Sequence, residues 1–316
     1  MEKRFRYRLP VIGMLLMVVV LCLLIGCKKQ EKPKNIWEVL ADEELWKNME
    51  FVKADYQDAF SYSCDLEKKY AYNGSYAVDT LSFPCDNDTI GRFELWFPTE
   101  LKTTQHQWPL VIMANGTGVL ASKYQPIFRH LASWGFIVAG NEDENTWWGR
   151  SVSATLDFLL AENRRPESLF FGKVDTTSVG LAGHSQGGIA TFTASTMFPN
   201  SCYYKAICAM SGNAKEAVNS IQCPLLLICG TEGLDEMWKQ GQNETFDTIF
   251  TEIPVVSAYL KDTDHGKVLP RGDAYMTAWM RYWLCDDTMA AHCFVGADAE
   301  IFRNKDWQDV RRKNLP

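Results

Sequence analysis

Histidine is scarce in this chain, five in 316 residues. No grouping of Cys, His and acidic residues has the spacing of a zinc site, so the sequence supplies no ligand set for that metal. An excess of basic over acidic residues is absent beyond the N-terminal segment. The formal charge of −7 becomes −10 once Lys3, Arg4, Arg6, Arg8 and Glu2 are set aside with the N-terminal segment. An acidic remainder argues against nucleic-acid binding, which needs phosphate neutralisation by Lys and Arg. Repeats, low-complexity blocks and linker-like stretches are also missing, so residues 75–300 read as one domain. Apolar residues make up 47% and charged residues 22%, an ordinary globular composition that excludes disorder.

The longest apolar run, Val11–Ile25, falls short of the roughly 20 residues that span a bilayer. It follows the N-terminal basic cluster, as a signal peptide does. It ends in Leu24-Ile25-Gly26-Cys27, which resembles a bacterial lipobox; residues 1–26 are then removed and Cys27 carries lipid. The competing reading is an uncleaved anchor. Either places the domain outside the cytoplasm, tethered to the membrane. Residues 27–34, with Lys28, Lys29, Lys32 and Lys34, read as a solvated tether, and 35–60 as an amphipathic lead-in helix, leaving 61–316 as the globular domain.

Export permits disulfides among the remaining cysteines. Cys208 and Cys229 lie in apolar runs and read as core residues; Cys64 with Cys85, and Cys285 with Cys293, are the favoured pairs, although sequence alone does not fix connectivity.

Strand-like segments are expected at 75–83 and 92–97, and short fully apolar strands at 109–114, 136–139, 178–182, 206–210, 225–229 and 255–260. Helical spacing covers 127–134, 152–160, 189–197 and 236–250, and a helix over 275–284 closes the chain. The alternation describes an α/β fold, a mostly parallel sheet covered on both faces, with an antiparallel pair at its N-terminal end.

Gly183-His184-Ser185-Gln186-Gly187 fits G-x-S-x-G, and an expected strand enters it while an expected helix leaves it. That strand–turn–helix setting raises a serine hydroxyl above the sheet edge as a nucleophile. A serine needs a base and an orienting acid, which follow it in the order acid, then His. Only His265 and His292 come after Ser185. His265 lies in the polar loop Asp262-Thr263-Asp264-His265-Gly266 directly after a strand, whereas His292 sits in an apolar helical stretch. The acid should come from the loop 230–236, where Asp235 is preferred and Glu232 competes; Asp262 and Asp264 read as loop caps. The backbone N–H groups of Gln186 and Thr117, the latter in Asn115-Gly116-Thr117-Gly118, are the expected oxyanion donors.

From about residue 75 to 295 the chain resembles an α/β-hydrolase of the dienelactone-hydrolase, chlorophyllase and polyester-hydrolase (cutinase-like) group. The resemblance rests on Pro109-Leu110-Val111-Ile112 with Gly116-Thr117, on His130-Leu131-Ala132-Ser133-Trp134-Gly135-Phe136, on the Ser185 motif with Gly188, and on Ala278-Trp279-Met280-Arg281-Tyr282-Trp283-Leu284. It implies carboxylic-ester hydrolysis through an acyl-enzyme, on a small-molecule or polymeric ester, without a cofactor. Two departures stand out. The acid loop has Gly233 where relatives carry Asp, and Ser211-Gly212-Asn213 lacks the aromatic with which polyester hydrolases clamp substrate. Trp147 and Trp148 are alternative cleft-lining aromatics. A peptidase or amidase with the same triad, and a non-catalytic binding lipoprotein, are the competing functions.

Overall fold

Short β-branched and leucine-rich runs become buried strands only if both faces of their sheet are covered, and the computed structural model, which describes residues 51–315, has that arrangement. Nine strands form one sheet: β1 (Val78–Pro84), β2 (Arg92–Pro98), β3 (Trp108–Ala114), β4 (Ile137–Asn141), β5 (Val174–His184), β6 (Tyr204–Met210), β7 (Leu225–Cys229), β8 (Val255–Leu260) and β9 (Trp307–Lys313). Their spatial order is β1-β2-β4-β3-β5-β6-β7-β8-β9. The pairs from β4 through β8 are parallel, and β1 with β2, β2 with β4, and β8 with β9 are antiparallel.

Side chains alternate cleanly between two cores, as the strand period of two requires. Val111, Met113, Cys208, Met210, Leu226 and Ile228 enter one core; Leu110, Ile112, Ile207, Ala209, Leu225 and Leu227 enter the other. The first core is covered by α2 (Gln125–Ser133) and α6 (His265–Cys285), with α1 (Asp65–Ala71) and α7 (Thr288–Ala291) packed against α6. The second is covered by α3 (Arg150–Glu162), α4 (Gln186–Met197) and α5 (Leu234–Thr248).

Three expectations need correction. The chain does not close on a helix over 275–284: α6 begins ten residues earlier, at His265, and β9 follows it. Gly266, Pro270 and Gly272 read as breakers, yet burial of nearly every residue from Val268 to Met280 outweighs the roughly 3 kcal/mol a proline costs inside a helix. The cysteines from 64 to 293 are all free, including both favoured pairs. Within 51–60 the lead-in forms a 3-10 turn at Tyr56–Ala59 rather than an α-helix. The readings of residues 1–26, of Cys27 and its tether, and of the helix over 35–50 lie outside the described residues. Among the described residues no helix is long and apolar enough to cross a membrane.

One buried polar cluster ties α6 to α2 and to the N-terminal segment. His130 Nδ1 lies 2.6 Å from Asp273 Oδ2, both fully buried. The Tyr56 hydroxyl donates to the same carboxylate oxygen. His130 Nε2 donates to the Tyr72 carbonyl at 2.9 Å. Burial works to lower the His130 pKa, but the charge and hydrogen bond of Asp273 outweigh it and raise the group above its ordinary 6.5. A raised folded pKa stabilises fully below the unfolded value and less as pH climbs through the folded one. Thermal melts should therefore give the widest Tm gap between the parent and His130→Asn/Asp273→Asn below about pH 6.5, with the gap narrowing towards pH 9.

Candidate active site

β5 runs straight into the motif and α4 runs straight out. At the junction Ser185 adopts φ 61°, ψ −124°, a left-handed backbone that a non-glycine residue holds only when its surroundings over-determine it. The surroundings are backbone. Ser185 N–H donates to the Met210 carbonyl on β6 at 2.9 Å. A Cβ on Gly187 would stand 2.1 Å from the Ala114 carbonyl oxygen, and one on Gly183 would stand 2.2 Å from that of Gly187. Only glycine lets α4 start this close to β3, which explains the motif's two glycines.

His265 opens α6, where the Asp264 side chain caps the helix by accepting from Gly266 N–H at 3.1 Å. The expectation that Asp264 caps its loop is met in this form. His265 Nδ1 lies 2.5 Å from Asp235 Oδ1. The carboxylate accepts two further bonds on Oδ2, from Ser211 Oγ at 2.6 Å and from Gly230 N–H at 2.7 Å. Burial works to raise the Asp235 carboxyl, but its bond and charge interaction with His265, helped by Ser211 and Gly230, hold it below the ordinary carboxylate range. Asp235 is fully buried in the first turn of α5. Gly233, at φ 60° and ψ −125°, lets the chain turn into that helix. Glu232 faces solvent, and its N–H, with that of Thr231, donates to the Thr263 carbonyl at 3.1 and 3.0 Å. These bonds sew the loop after β7 to the loop after β8, so Asp235 and His265 meet on a shared edge.

Because a carboxylate can only accept, Nδ1 carries the proton of the neutral ring and Nε2 is left as the acceptor. His265 Nε2 is buried with no partner among the described residues. No hydrogen bond joins it to Ser185 Oγ, but both residues line one cleft, together with Phe51, Gly116, Val119, Tyr124, His184 and Gly266. His184 Nε2 donates to the His265 carbonyl at 2.9 Å. Burial, followed by the nearby His265, pushes the His184 pKa down to about 3, which keeps that ring neutral beside His265.

The loop 115–118 arrives beside the serine. A Cβ on Gly116 would lie 3.6 Å from Ser185 Cβ. Gly116 N–H is occupied, donating to the Tyr124 hydroxyl at 2.9 Å. The amides of Thr117 and Gln186 take part in no backbone or side-chain bond among the described residues, and the Thr117 hydroxyl is buried without a partner. Trp147 and Trp148 are not in the cleft: Trp148 is 63% exposed, and the Trp147 carbonyl accepts from Thr193 on α4. His292 ends the short helix α7, away from the cleft.

Three contributors escaped the sequence reading. Ser211 enters the sequence reading only for the aromatic it replaces, although a hydroxyl directly after β6, the strand beside the one that leads to Asp235, is a usable signal. Tyr124 and Phe51 carry no local pattern that separates them from core aromatics.

A doubly covered, mostly parallel sheet with a strained serine between strand and helix is the arrangement of an α/β-hydrolase. The chain belongs to the PET hydrolase-like family, which matches residues 66–313, and is thereby a member of an ester-hydrolysing group. It is also 25% identical over 233 residues, 69% of this chain and 70% of the relative, to a bis(hydroxyethyl) terephthalate hydrolase of Streptomyces coelicolor.

The contact of Gly187 with the Ala114 carbonyl fixes the cost of a side chain there. Gly187→Ala must drive α4 off β3, an overpacking cost of about 3 kcal/mol. The expected fall in Tm is on the order of 10 °C, read by circular dichroism, with loss of fluorophosphonate labelling.

Proposed function

We propose that the protein is a serine esterase whose Ser185, His265 and Asp235 form a catalytic triad acting through an acyl-enzyme. The observation that carries the reading is His265, with Nδ1 held by a buried carboxylate and Nε2 unpartnered in the cleft that Ser185 lines. Ser185 Oγ attacks the ester carbonyl carbon while its proton passes to His265 Nε2. The charge that develops on the carbonyl oxygen is met by the Thr117 and Gln186 N–H groups. Collapse breaks the bond to the alcohol oxygen, which takes the proton back from Nε2 and leaves. Water repeats the sequence on the acyl-enzyme and frees the acid and Ser185. Asp235 keeps the imidazole in the right tautomer and stabilises the imidazolium.

The apolar wall of the cleft, formed by Phe51, Val119 and Tyr124, suits an uncharged ester. The relative's named substrate, bis(hydroxyethyl) terephthalate, is one such candidate. Esters are favoured over peptides by the family, whose description is of ester hydrolysis.

We further propose that the domain is an extracytoplasmic lipoprotein held through Cys27, on the strength of the lipobox-like Leu24-Ile25-Gly26-Cys27 and its charged tether. Cys27→Ala should move the protein from the membrane to the soluble fraction on a blot; full retention in the membrane overturns this placement.

Ser185→Ala should abolish both fluorophosphonate labelling and turnover of p-nitrophenyl esters, and labelling at another serine would overturn the assignment. Asp235→Asn should lower kcat by up to about 10⁴, whereas Glu232→Gln should change it by less than about tenfold. The reverse pattern would transfer the role to Glu232.

A further inference from the structure

Phe51 stands apart from the rest of the cleft in origin. It belongs to a segment, residues 51–65, that precedes the family-matched part of the chain, yet its ring lies in the cleft with Ser185 and His265. There it meets Tyr124 edge-to-face, with centroids 5.8 Å apart and planes at 73°. Tyr124 is itself fixed on two sides. Its ring stacks on Phe128 at 6.3 Å, and its hydroxyl accepts from Gly116 N–H in the loop beside Ser185.

The segment carrying Phe51 is anchored rather than loosely laid down. Val52 and Tyr56 are buried in the core under α2 and α6, and the Tyr56 hydroxyl is bonded to Asp273. Asp273 lies on the same helix that His265 opens. The strap is therefore tied to the helix bearing the base, and its first aromatic ring forms a wall of the cleft.

We propose that Phe51 is a specificity-determining residue that closes one side of the Ser185 cleft and limits the size of the ester's substituents. The inference rests on the esterase reading and deepens it, since it makes the substrate class compact esters and assigns the limit to a residue outside the family-matched region. An aromatic ring held against a second ring resists displacement by a long acyl or alcohol group. Its removal opens the cleft at that side, while groups that already fit gain nothing from the added space.

The test uses the full-length protein and two ester series, one lengthened on the acyl side and one on the alcohol side. For Phe51→Ala the ratio of kcat/KM between the longest and shortest members should rise at least tenfold in one series or the other, with the gain in KM rather than kcat. Phe51→Trp should lower the same ratio, a direction that loosened packing would not produce. Tyr56→Phe, which releases the strap's hydroxyl anchor, should shift the ratio the same way as Phe51→Ala but by less. Should Phe51→Ala fail to fold by circular dichroism, Phe51→Leu and Phe51→Trp carry the comparison. Ratios within twofold of the parent for the folded variants in both series overturn the inference while leaving the esterase reading intact. Absence of Ser185-dependent ester turnover in the parent overturns both.

Discussion

Backbone pressed against backbone at the ends of β3, β5 and β6 is the constraint on which the rest of the site depends. A Cβ on Gly187 would collide with the Ala114 carbonyl, and one on Gly188 would lie 2.6 Å from the Met210 carbonyl. With no side chains between them, the first turn of α4 seats directly on the two strands that flank β5. Ser185 is thereby forced into its left-handed conformation, because Met210 holds its N–H and the helix leaves no room to relax. The same closeness brings the Gly116 loop beside the serine, so Ser185 and the backbone of residues 115–118 are positioned by one packing event rather than by several independent ones.

The other half of the site is organised around a single buried carboxylate. Asp235 has no exposure, and a lone charge there would be strongly disfavoured. It is tolerated because three donors from three elements converge on it: His265 from the start of α6, Ser211 from the end of β6 and Gly230 from the end of β7. Ser211 is itself at φ 48°, a strained backbone that aims its hydroxyl at the carboxylate. Loss of any one donor would leave the acid under-compensated and His265 less firmly oriented.

Most of the central sheet was legible in the sequence because strands buried on both faces are written as uninterrupted apolar runs, and Pro109–Ala114, Ala206–Met210 and Leu225–Cys229 are such runs. The serine and the histidine were legible for a different reason, since Ser185 sits between glycines that only close packing demands and His265 follows a strand directly. β9 was not legible. As an edge strand it carries Arg311, Arg312 and Lys313, half-buried charges that are met by Asp247 and by the carbonyls of Phe294, Gly296, Phe246 and Ile249, and three charged residues in a row erase the apolar signal. The start of α6 was hidden by Gly266, Pro270 and Gly272, whose local preferences yield to tertiary burial. Asp235 is preferred in the sequence with Glu232 still competing, because the fact that separates them, that α5 begins at Leu234 and turns Asp235 inward while Glu232 stays exposed, is a property of packing against β7 and β8. Phe51 belongs to the same category, since only the folded chain brings it to the cleft.

The unpaired thiols have a consequence of their own. Cys208, Cys223, Cys229 and Cys293 are buried, and burial pushes the thiols of Cys208, Cys229 and Cys293 far above their ordinary range and that of Cys223 to about 12. Thiolates, not thiols, react with alkylating agents and with other disulfides. The folded domain therefore carries a set of chemically silent sulfurs that become reactive only when the core opens. In an oxidising compartment this separates the two states sharply: the native molecule keeps its interior reduced, while a molecule that unfolds exposes several competent thiols at once and is driven towards cross-linked aggregates. Its loss of structure would then be irreversible for a covalent reason, and its lifetime would be set by how often the core opens rather than by how stable it is at equilibrium.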